Sequence, residues 1–152
     1  MPIKSIKWPG DPIVLDDIQS LESRLAVKLP GAYRDFLLTH NGGRPIPDGF
    51  PIPGGDTSDA GSLMNHFFGV TGPYSIEKTI TVFASRIPAG LLPIGRDAGG
   101  NIICMGTEAE HYGRIFFWDH DFEEEQPTWN NVYPLTDSFE DFIASFRDRP
   151  VV

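Results

Sequence analysis

The sequence predicts an α+β fold in which helices pack on a mainly antiparallel sheet. Three observations carry the prediction. Four stretches place apolar residues at helical spacing, three apolar runs follow one another between residues 91 and 119, and a Gly-Gly turn joins the first two of those runs. At 152 residues the chain fits a single domain, 1–152, with an irregular arm over 1–12. A domain of that size can bury roughly 70% of the surface its unfolded chain exposes.

In chain order, Met1 to Pro12 contain Pro, Gly and a lone Trp8, and read as an arm anchored by the indole. Asp16 with Gln19 has capping-box spacing, and Leu15, Ile18, Leu21 and Leu25 form the stripe of a first helix. Pro30 suits the first turn of a second helix, whose stripe is Tyr33, Phe36, Leu37 and His40. Asn41, Gly42 and Gly43 then fall where a helix ends in the left-handed conformation that Asn and Gly adopt most cheaply. The triplet is read as a structural turn and not as a phosphate loop, because such a loop precedes a helix and normally carries Lys with Ser or Thr.

Residues 44–61 are rich in Pro, Gly and Asp, the composition of a long surface loop or a broken edge strand. A short strand is predicted at His66–Val70, and a helix from Ser75 with Ile76, Ile80, Phe83 and Ile87 on one side. Strands follow at Leu91–Gly95, Asn101–Met105 and Arg114–Asp119, the first two as a hairpin through Ala98-Gly99-Gly100-Asn101. Ile115, Phe116, Phe117 and Trp118 are apolar on both alternating faces, which places that strand centrally. Ser138 with Asp141 marks the capped start of a last helix carrying Phe139, Phe142, Ile143 and Phe146 against the sheet.

Composition excludes several classes. The single Cys104 rules out an internal disulfide and a cysteine zinc cage, and no apolar leader follows Met1, so cytoplasmic residence is the expectation. Pro and Gly interrupt every hydrophobic run, leaving none of the ~20 residues a membrane helix needs. A net charge of −9 repels phosphate backbones and disfavours nucleic acid. The same acidity would attract a basic protein, although it also serves solubility alone.

Five segments in order, "DDIQSLESRLAVKLP", "LPGAYRDFLLTHNGG", "LLPIGRDAGGNIICMG", "GRIFFWDHD" and "SFEDFIASF", resemble the SUKH superfamily. The resemblance is to its branch of fungal cell-wall-assembly regulators, the SMI/KNR type, and bacterial immunity proteins. It spans most of the chain from Leu15 to Phe146 and leaves the Pro/Gly loop 45–61 least matched. It implies an α+β domain of about four helices on a mainly antiparallel sheet of about five or six strands. It also implies a non-enzymatic role without cofactor, either neutralising a toxin domain by direct binding or acting as a regulatory scaffold with several partners.

The segment "WDHDFEEE" carries the densest set of polar groups: Asp119, His120, Asp121, Glu123, Glu124 and Glu125. In an extended strand Asp119 and Asp121 would face away from His120, so no metal site is expected. His120 could serve as a general base, but no nucleophile elbow or metalloprotease helix accompanies it, and Cys104 reads as a small buried hydrophobe. His40 is expected to meet helix-end carbonyls, while His66 and His111 show no ligand spacing. The paired phenylalanines are core. Trp8, Trp118 and Trp129 sit at loops and strand ends, where a ring either packs or anchors an interface. The expected contact set for a basic protein partner is therefore Trp118, Asp119, His120, Asp121, Glu123, Glu124, Glu125 and Trp129, with Asp56 and Asp59 in the long loop. The oligomeric state is left open.

Overall fold

The computed structural model describes residues 2–53 and 61–148. The first helix, α1 (Leu15–Leu25), is closed at its start by Asp17, whose Oδ2 accepts the Val14 N–H at 2.8 Å. Val14 rather than Asp16 thus holds the cap position, and Asp16 and Asp17 lie in the first turn, where the exposed N–H groups favour negative charge. Ile18 and Leu21 are fully buried, whereas Leu15 at the helix start remains 45% exposed. Pro30 stands just ahead of the first turn of α2 (Gly31–Thr39), which buries Tyr33 and Leu37.

After α2, His40 is extended, and Gly42 and Gly43 take φ of 78° and 121°. Asn41 is not left-handed, so the turn's handedness rests on the glycines alone. A Cβ on Gly42 would lie 2.8 Å from both the Phe67 carbonyl oxygen and the Gly69 nitrogen, which makes the requirement steric as well as conformational.

The arm expected to be irregular contains a strand, β1 (Ser5–Lys7), antiparallel to β2 (Arg44–Ile46) with Ser5 opposite Ile46. Backbone pairing anchors it, not the indole, for Trp8 is 76% exposed. Three-residue strands are too short to display alternation in sequence. The main sheet has six strands in chain order, each antiparallel to the next: β3 (Gly49–Pro51), β4 (Gly61–Phe67), β5 (Leu91–Asp97), β6 (Ile102–Gly106), β7 (Ile115–Trp118) and β8 (Val132–Thr136). The Pro-rich segment is thus in part the broken edge strand, β3, while Asp56 and Asp59 lie outside the described residues. β4 begins earlier than predicted and stops at Phe67, because Gly69 bridges Ser75 instead of extending the ladder. β8 carries no sequence signal, since Pro134 interrupts it.

Helix α3 (Ile76–Phe83) is capped by Ser75, whose Oγ accepts the Lys78 N–H, and α4 (Phe139–Ala144) by Ser138, whose Oγ accepts the Asp141 N–H at 3.0 Å. Consecutive residues of β7 tell the two sheet faces apart. Trp118 meets Phe83 of α3 edge-on at 5.6 Å, and Phe117 meets Phe50, against which pack Phe142 of α4 and Phe146 just beyond its end. Helices α3 and α4 therefore cover opposite faces, and all four residues of β7 are buried, as a central strand requires. α2 joins α4 through Tyr33 and Phe139, 5.0 Å apart. Among the described residues no helix is long and apolar enough to cross a membrane.

Candidate functional site

The acidic segment leaves the sheet at the end of β7 and folds at once into a 3-10 turn over His120–Phe122. Asp119 starts it: its Oδ1 accepts the Asp121 N–H at 3.0 Å, and its carbonyl accepts Asn131 Nδ2 at 2.9 Å. The turn overturns the expectation drawn from an extended strand, because Asp119, His120 and Asp121 each bring a ligand-type atom within 4.8 Å of the others. The sequence signal missed was the side-chain cap, an Asp accepting from the backbone two residues on.

His120 is oriented by a chain of partners that sequence reasoning also missed. Asp97, 2% exposed, accepts the Gly99 and Asn101 N–H groups on Oδ1, and Ser62 Oγ and Asn101 Nδ2 on Oδ2. With its nitrogen committed to a carboxylate, the Asn101 amide must present oxygen to His120. That oxygen lies 3.1 Å from the His120 backbone nitrogen and 2.6 Å from Nδ1, so Nδ1 carries the proton. Nε2 then faces Asp121 at 3.4 Å, an ion pair only when the ring is protonated. None of the His120 hydrogen bonds involves a hydroxyl or thiol among the described residues. Cys104 is buried, and burial pushes its thiol above the ordinary range.

The remaining acids differ in what they do. Arg86 grips Glu123 through Nε at 2.8 Å and Nη2 at 2.9 Å, and its hydrogen bonds hold the Glu123 carboxyl below the usual range. The same guanidinium lies over Phe83 and Trp118, 4.5 and 5.5 Å from the ring centroids. Glu123 thus clamps a core lid. Glu124 accepts from Asn130 Nδ2 at 3.2 Å, and Asp121 and Glu125 are exposed. Neutralising Glu123 should accordingly cost about 0.5–1 kcal/mol, discounted for partial exposure, and neutralising Glu125 less than about 0.5 kcal/mol. Urea denaturation of Glu123→Gln and Glu125→Gln checks the ordering.

Trp118, expected in the contact set, has no exposed surface, because strand alternation points it into the layer under α3. It presents nothing to a partner. Trp129 keeps 37% of its surface, stacked on His111 at 4.6 Å and edge-on to Phe116 at 5.4 Å. The ring of His40 packs on Phe36 at 5.7 Å instead of meeting carbonyls. Away from this face, the Asn41-Gly42-Gly43 turn lines a cavity of 460 Å³ together with Trp8, His66 and Tyr74. The ordering of that region comes from Asn41, whose Nδ2 donates to the Asp11 carbonyl and Thr71 Oγ1, and whose Oδ1 accepts the Val70 N–H.

Comparison with known proteins adds the family. The chain is 28% identical over 155 residues to the SPbeta prophage-derived uncharacterized protein YokK of Bacillus subtilis (strain 168), an alignment covering 90% of this chain and 76% of that protein. The model of the SMI1 / KNR4 family (SUKH-1) matches residues 12–145, from the end of the arm through α4. With its helices, six-stranded meander and terminal aromatic helix all inside that match, the chain belongs to the SMI1 / KNR4 family, SUKH-1.

Proposed function

We propose that this chain is a non-enzymatic, cytoplasmic protein-binding module that neutralises a basic toxin domain by direct contact, as an immunity protein does. Membership of the SUKH-1 family is the observation that supports the reading most, and the prophage origin of a relative favours the bacterial branch. The acidic face supplies the chemistry. Asp119, His120 and Asp121 are held by the turn and by Asn101, while Asp121 and Glu125 remain exposed, an ordered array suited to Lys and Arg of a partner. Phe122 within the turn and Trp129 beside it are aromatic groups with surface left to bury. Glu123 supports the array from behind.

The test begins with the tagged chain as bait in the lysate of its own host. A single basic protein recovered at 1:1 stoichiometry is expected, whose association rate falls about tenfold or more between low and high salt. Neutralising Asp121, Glu124 and Glu125 together should slow association to the high-salt value and leave the urea midpoint near that of the parent chain. An association rate indifferent to salt would refute the electrostatic contact. Several unrelated partners at substoichiometric yield would instead favour the regulatory scaffold.

A further inference from the structure

Asn41 is the one asparagine of the chain that precedes a glycine, and such a pair is chemically labile. The backbone nitrogen of the following residue can attack the side-chain amide carbon, and glycine has no side chain to hinder the approach. The bond from Gly42 N to Asn41 Cγ forms, the bond from Cγ to Nδ2 breaks, and the amide nitrogen leaves as ammonia with the proton lost from Gly42. Water then opens the cyclic imide at either carbonyl. Position 41 becomes aspartate or isoaspartate and gains a negative charge, with water as the sole co-reactant.

The fold engages both reacting groups. The Gly42 N–H donates to the His40 carbonyl at 2.7 Å, which occupies the nucleophile. Asn41 Nδ2 is held by the Asp11 carbonyl and Thr71 Oγ1, and Oδ1 by the Val70 N–H. Two glycines close on the amide, one at each end. A Cβ on Gly10 of the arm would lie 2.8 Å from Nδ2, and one on Gly69 would lie 2.7 Å from Oδ1. The Gly10 N–H also donates to the Asn41 carbonyl at 2.8 Å, so the arm covers the residue with side-chain and backbone contacts together. Ring closure makes Cγ tetrahedral and swings both amide atoms away from their partners, which the seated arm prevents. The arm itself is tied down by the short β1–β2 pairing, and a chain end held by so few hydrogen bonds opens locally before the core does.

We propose that Asn41 with Gly42 is a deamidation site gated by the arm: the seated arm suppresses the reaction, the opened arm permits it, and the product keeps the arm from seating again. The last step follows from the product's atoms. A carboxylate oxygen in place of Nδ2 opposes the Asp11 carbonyl, acceptor against acceptor, and isoaspartate adds a methylene to the backbone where Gly10 and Gly69 leave no room for one. The inference is independent of the acidic face and of any partner. Its test is incubation of the full chain in mildly alkaline buffer, with deamidation at each asparagine read by peptide mapping. The folded chain is expected to react at Asn41 about a hundredfold or more slowly than the chain in guanidinium chloride, the ratio being set by the fraction of open arm. Gly10→Ala, whose methyl group displaces the arm, should raise the folded rate about tenfold, and by more than its urea midpoint accounts for. If that variant does not fold, Thr71→Val, which frees one N–H of the amide, serves the same comparison. The deamidated fraction, separated on an anion exchanger by its added charge, should be cut by trypsin at Lys4 and Lys7 faster than the parent. The proposal is overturned if the folded chain reacts as fast as the unfolded one, if the variant keeps the parental folded rate, or if the deamidated fraction resists trypsin as the parent does.

Discussion

Replacing Trp118 by alanine is expected to lower stability by about 3–5 kcal/mol, the usual cost of deleting a large buried ring and leaving its cavity. The indole has no exposed surface, is met edge-on by Phe83, and lies beneath the Arg86 guanidinium that Glu123 holds in place. Trp129→Ala should cost much less, about 1 kcal/mol, since that ring keeps 37% of its surface in solvent. Urea denaturation followed by circular dichroism gives both values. If alanine prevents folding, Trp118→Phe keeps a ring in the layer and removes a buried Nε1 that has no hydrogen-bond partner, which offsets part of the loss. A Trp118 variant that unfolds at the parental urea concentration but loses its partner would show the ring to be an external anchor instead.

That test bears on how far the site could be read from sequence. Apolar spacing located all four helices, and the Gly-Gly turn located the β5–β6 hairpin, because these signals are local and repeat over several residues. The same locality explains the failures. Trp118 followed by Asp119 looks like a strand end at a surface, yet its depth is decided by α3, which lies far away in sequence and covers that face. Strands β1, β2 and β8 were not legible, two because they have three residues each and one because Pro134 interrupts it.

The acidic segment shows a third kind of limit. Charge pattern identified its composition, but the division of labour within it depends on partners 19 and 37 residues away in sequence. Glu123 is taken by Arg86 and His120 by Asn101, leaving Asp121 and Glu125 to face solvent. Exposed charges govern encounter, whereas paired ones govern shape, so mutating the segment wholesale would mix two effects. Separating Glu123 from the others removes that ambiguity.

Asn41→Ala is expected to cost about 2–4 kcal/mol, more than any exposed cap in the molecule, because one buried and two part-buried hydrogen bonds are lost at once. At 4% exposure the Asn41 amide donates to the Asp11 carbonyl and Thr71 Oγ1, each at 2.8 Å, and accepts the Val70 N–H at 2.7 Å. Water reaches such positions poorly, so the orphaned Val70 N–H carries a desolvation cost that alanine cannot repay. With an m-value of ~2 kcal/mol/M the urea midpoint should fall by roughly 1–2 M. Asn41→Asp separates the amide's two ends, for it retains an acceptor for Val70 but turns a lone pair toward the Asp11 carbonyl, and it should be as damaging as alanine or worse. Thr71→Val, which removes one acceptor only, should cost about 1 kcal/mol. Because Asn41 ties the arm to the 69–71 loop, trypsin should also cut faster at Lys4 and Lys7 in Asn41→Ala, while Thr71→Val stays near the parent rate. An Asn41→Asp chain with the parental midpoint would mean that the amide's donors are unengaged and that β1–β2 pairing alone holds the arm.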